Sequence, residues 1–93
     1  MEKHYVEKLI EIFEKERKNS NMITDDKYEK EVIKLFDLEN LNLYVLQALR
    51  DSIVHTFAKL AYEEVENRFF YMSITSYTTT TIDNYIVKTG GEV

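Results

Sequence analysis

Cysteine, proline and tryptophan are absent from this 93-residue chain, and its two glycines stand side by side at positions 90 and 91. Without cysteine there is no disulfide, no thiolate metal ligand and no thiol nucleophile. A secreted domain this short usually needs such staples, so a reducing, cytoplasmic setting is expected. With no proline and no glycine before position 90, nothing in the backbone chemistry interrupts long helices. The lack of a glycine-rich loop removes the usual cradle for phosphate. No run approaches the roughly 18 apolar residues of a membrane span. The charged first twenty residues lack the apolar centre of a signal peptide. Arginine is scarce, at positions 17, 50 and 68 only, and the net charge is −5. That balance disfavours a nucleic-acid partner, which needs a basic footprint.

What is present suits one small domain spanning residues 1–93, with 44% hydrophobic and 13% aromatic residues to build a core. Val6, Leu9, Ile10 and Phe13 recur at i, i+3, i+4 and i+7, which predicts helix 1 over about 2–18. Glu11–Lys15 and Glu14–Lys18 are acid-before-base pairs that would support it. Asn19-Ser20-Asn21 breaks the pattern, and Thr24, Asp25 and Asp26 offer caps for helix 2 over about 26–37. Tyr28, Val32, Leu35 and Phe36 form its apolar face, and Asn40 or Asn42 is placed to cap the next helix.

Helix 3 is predicted over about 42–66. Leu46, Leu49, Ile53, Phe57 and Leu60 fall within about 80° on a helical wheel. A second apolar group, Val54, Ala58, Ala61, Val65 and Phe69, lies to one side. Gln47, Asp51, His55, Lys59 and Glu63 make a polar column opposite. An arc that wide predicts a central helix with several neighbours. Glu64 lands on the apolar seam, which predicts a change of environment around 63–68, since a buried carboxylate without a partner is costly.

From Phe69 to Thr81 the chain carries no charge and is dominated by β-branched and aromatic residues. This composition favours strand. Asp83-Asn84 would then form a hairpin turn. The rival reading is a short helix capped at Thr80, with Gly90 just past its end. The expected fold is therefore mainly α, a three-helix domain with a C-terminal β-hairpin or short extra helix over about 69–88. Residues 89–93 are expected to fray.

No catalytic or metal-binding constellation emerges. His55, with Asp51 one turn before it, could make a base and its orienting carboxylate, but no nucleophile or oxyanion donor accompanies them. Glu63, Glu64 and Glu66 crowd one helix turn, whereas glycosidase carboxylates face each other across a cleft. No enzyme activity, cofactor or metal is expected. The chain is expected to bind a larger protein, and to self-associate, through its polar and tyrosine-rich surfaces. The candidate contact residues are Asp51, His55, Glu63, Glu64 and Glu66 on helix 3, and Tyr71, Tyr77, Thr79 and Thr81 in an edge strand open to β-addition. An alternative is a helix-turn-helix regulator, with Lys27, Lys30 and Lys34 of helix 2 reaching phosphates. The apolar start of helix 3 (LNLYVLQAL) speaks against a recognition helix.

The Lys/Asn/Ile/Tyr-rich, acidic, single-domain character is similar to small accessory proteins of phages and plasmids from AT-rich bacteria. Some of those are acidic inhibitors of host enzymes or defence nucleases. The likeness is one of composition, covers no motif and carries over no residue.

Overall fold

The computed structural model describes residues 1–19 and 25–91. Among them stand four α-helices: α1 (Lys3–Asn19), α2 (Asp25–Phe36), α3 (Leu43–Glu63) and α4 (Arg68–Lys88). Short 3-10 turns at Leu38–Asn40 and Val65–Asn67 join α2 to α3 and α3 to α4. Ser20, Asn21 and Thr24, and the side chains of Asp25 and Asp26 expected to cap α2, lie outside the described residues, while α1 runs on through Asn19, where the break was expected.

The first three helices follow the apolar spacing of the sequence. Leu9, Ile12 and Phe13 of α1 are buried, as are Tyr28 and Val32 of α2 and Leu46, Ile53 and Phe57 of α3. Each such side chain contributes roughly 1.5–3 kcal/mol on leaving water. Asn42 caps α3, its Oδ1 accepting from the Val45 N–H at 3.0 Å. Of the expected ion pairs on α1, Glu11–Lys15 is replaced. Glu11 meets Lys8 at 3.7 Å, and Lys15 reaches across to Glu31 of α2 at 3.8 Å. Asp37 turns the chain after α2 in the left-handed region, φ 54°, a conformation Asp tolerates better than most residues.

Helix α3 ends at Glu63, three residues earlier than the expected bound of 66. Glu64 takes the break: its N–H still bonds the Leu60 carbonyl at 2.8 Å, but its φ/ψ of −117°/72° leaves the helix. The carboxylate thereby escapes the apolar seam and is exposed.

The C-terminal segment corrects the expected fold. There is no hairpin and no strand among the described residues; 68–88 is one 21-residue helix. It is the extra helix of the rival reading, but it begins at Arg68 rather than at Thr80. Tyr71, Ile74, Thr78, Ile82 and Ile86 form a buried stripe at helical spacing. The helix penalty of β-branched and aromatic residues is at most about 0.7 kcal/mol each relative to alanine, so the burial of this stripe decides. The threonines are also accommodated individually. Hydroxyls of Thr75, Thr79, Thr80 and Thr81 donate to the carbonyls of Tyr71, Thr75, Ser76 and Tyr77, one turn back, at 2.7–3.1 Å. This back-bonding gives a buried hydroxyl a partner without a strand neighbour. Asp83 and Asn84 sit mid-helix, where Asp83 accepts from the Arg50 guanidinium of α3.

Among the described residues α4, not α3, is the central element: it packs against α1, α2, α3 and both 3-10 turns. Its end is fixed as well. Gly90, at φ 90°, donates to the Val87 carbonyl, and Gly91 donates to that of Ile86, at 3.0 and 2.9 Å. These are the two bonds of a Schellman cap. Thr89 to Gly91, expected to fray, are thus tied down, while 92 and 93 lie outside the described residues.

Candidate functional site

The sequence-derived candidates divide between surface and core. Asp51 and His55 are exposed on α3, and Glu63, Glu64 and Glu66 are exposed at its end and in the following turn. Tyr71, Thr79 and Thr81 are buried in α4, and Tyr77 is half-buried. The reason is the helical geometry: a strand would have sent alternate residues outward, whereas the α4 spacing turns these toward the other helices. With no strand among the described residues, the β-addition reading loses its edge.

The buried candidates are engaged within the chain. Tyr71 donates its hydroxyl to Glu64 Oε2 at 3.0 Å. Burial, then that hydrogen bond and the negative charge of Glu64, hold the Tyr71 phenol above its ordinary pKa. Thr79 and Thr81 donate to backbone carbonyls of their own helix. Tyr77 packs among Phe13 and Tyr28, with ring centroids 6.1 Å away in both cases. Phe13 is the hub of this aromatic group and meets Tyr28 and Phe70 edge-on at 5.8 and 5.4 Å, a favoured geometry for ring quadrupoles.

Among the described residues, α4 lines two clefts. One, of about 750 Å³, lies between α1 and the start of α4 and is lined by Ile10, Glu14, Arg17, Asn67, Phe70 and Tyr71. The other, of about 420 Å³, separates α2 from the middle of α4, where Glu29, Ser76, Thr80 and Asn84 give it a polar lining. Beyond it Tyr85 has its pKa raised by burial and by the carboxylates of Glu39 and Glu29. Neither of these two clefts is lined by Asp51 or His55, which are exposed on α3, and no hydrogen bond joins the two. No group of three or more His, Asp or Glu side chains is placed to hold a metal among the described residues. No helix there is long and apolar enough to cross a membrane.

The most conspicuous surface feature was not among the sequence candidates. At the corner where α3 passes into α4, Tyr62 is 85% exposed, Val65 63%, Phe69 74% and Met72 54%. Phe69 and Met72 stand at i and i+3 in the first turns of α4, and Val65 lies in the 3-10 turn that leads into it. Glu63, Glu64 and Glu66 lie between and beside them. Arg68 rests over the Phe69 ring, 5.4 Å from its centre. The second apolar group on the helix 3 wheel was a signal of this patch, because its members had to find either a neighbour or solvent. Val54, Ala58, Val65 and Phe69 are exposed, and of that group Ala61 alone is buried.

Comparison of the chain with family models, with curated proteins and with solved structures finds no match to any of them.

Proposed function

We propose that this chain is a non-enzymatic protein-binding module of the cytoplasm that docks onto a larger protein through the α3–α4 corner. The carrying observation is the exposure of Tyr62, Val65, Phe69 and Met72, large apolar side chains that follow closely in sequence around the α3–α4 turn and that the chain's own helices leave uncovered. Exposed apolar groups gathered in this way mark interaction surfaces. Glu63, Glu64 and Glu66 set the chemistry of the partner: an apolar contact framed by basic residues. The acidic, lysine- and asparagine-rich composition supports a phage or plasmid accessory protein that inhibits or adapts a host protein.

The test compares capture from an extract of the source organism by the wild-type chain and by a Val65→Ser/Phe69→Ser/Met72→Ser variant. A protein retained by the first and lost by the second, with loss at high salt, is the expected result. Equal retention by both overturns the corner as the docking surface.

A further inference from the structure

We infer that the outer face of α3 is the interface of an antiparallel, two-fold homodimer. Six exposed residues follow one another along that face at alternating four- and three-residue steps: Tyr44, Ala48, Asp51, His55, Ala58 and Tyr62. This is the step pattern of a helix seam made to meet another helix. None of the six is covered by the chain itself, and the rings of Tyr44 and Tyr62 are 81% and 85% exposed.

The choice of occupant comes from the order of the residues. Read from either end the stripe is the same in kind: tyrosine, alanine, a charged or chargeable group, a second such group, alanine, tyrosine. Its midpoint is Ile53. A two-fold axis passing there sets Tyr44 opposite Tyr62 of the second copy, Ala48 opposite Ala58, and Asp51 opposite His55. A symmetric interface requires this reciprocity, in which each residue meets a partner that meets it in return. The alanines sit where two helix backbones must approach closely, and the tyrosines close the two ends.

Charge fixes the direction. A parallel pairing would place Asp51 against Asp51 and His55 against His55. The antiparallel pairing places each Asp51 against an imidazole, twice per dimer. Among the described residues neither side chain has a hydrogen bond or ion pair within its own chain, which leaves both to pair across the axis. Lys59, at the flank, comes opposite Gln47 by the same symmetry, so no like charges are opposed along the seam. The partner-binding corner proposed above shares Tyr62 with this face and otherwise lies beyond it, and the dimer does not rest on that reading.

The test is sedimentation equilibrium of the full chain across the micromolar range, with far-UV circular dichroism to verify the fold of each variant. All substitutions are at exposed positions. The wild type is expected to be dimeric. His55→Asp opposes two pairs of carboxylates and is expected to raise the dissociation constant by about tenfold or more. The double exchange Asp51→His/His55→Asp recreates both pairs in reverse and is expected to restore it. Ala58→Arg, which holds the backbones apart, is expected to give a folded monomer. A monomeric wild type overturns the inference. So does a dimer indifferent to Ala58→Arg, or a double exchange that fails to recover what His55→Asp loses.

Discussion

The hydroxyls of Tyr28 and Thr78 lie 2.7 Å apart in the core, joined across fifty residues of sequence. Tyr28 is 1% exposed and Thr78 is fully buried, so the bond fastens α2 to α4 out of reach of water. Either hydroxyl can donate.

The two halves of this bond are not equivalent under substitution. Thr78→Val strands the Tyr28 hydroxyl in the core and should cost about 1–3 kcal/mol. Tyr28→Phe should cost about 1 kcal/mol, because the Thr78 hydroxyl can turn to the Ile74 carbonyl one turn back, as its neighbours do. The double variant should lose less than the sum of the two. Urea unfolding of the four proteins of the cycle measures this.

Burial pushes the Tyr28 phenol up to about 12, against an ordinary 10.0, with the Thr78 hydrogen bond acting weakly the other way. The unfolded chain therefore releases this proton at lower pH than the folded one. Stability from this group is complete below pH 10 and is lost as pH rises toward 12. The full loss is on the order of 2–3 kcal/mol. Tyr71 and Tyr85, also raised, act in the same direction. Urea midpoints measured against pH should fall in this range, and should fall less steeply for Tyr28→Phe.

The Schellman cap makes separate demands on its two glycines. Gly90 has positive φ but open space around it, so Gly90→Ala should cost about 1 kcal/mol through backbone strain alone. A Cβ on Gly91 would stand 2.5 Å from Leu43 Cδ1 and 2.7 Å from Ile86 Cγ2. Gly91→Ala should therefore disturb the packing of α3 on α4. Thermal melts should separate the two, with near-ultraviolet signal changed by the second variant and kept by the first.

Arg50 and Asp83 form the charged clasp between α3 and α4, both partly shielded from solvent. Arg50→Met should lower stability by about 1 kcal/mol in dilute buffer, and by less at high salt. If the difference between wild type and variant is the same at both salt concentrations, the clasp contributes by packing rather than by charge.

The helical half of the fold was legible because its stripes are simple. Leu46, Ile53 and Phe57 announced the buried face of α3, and Glu64 announced the break after it, since a carboxylate on an apolar seam has to leave. Asn42 was readable as a cap for the same local reason. The run from Phe69 to Thr81 misled because its local preference and its tertiary role oppose each other. Its β-branched residues favour strand, yet Tyr71, Ile74, Thr78, Ile82 and Ile86 keep helical spacing through it. Tyrosines were the poorest guide to the surface. Tyr71 turned inward, while Tyr44 and Tyr62 stand on the side of α3 away from the Leu46–Phe57 seam, as the wheel places them.

The helix that every other element leans on is made after all of them. During synthesis α1, α2 and α3 emerge with their apolar faces bare, and the surface that unites them follows only with Tyr71 to Ile86. A chain built in this order has little to gain from folding as it grows.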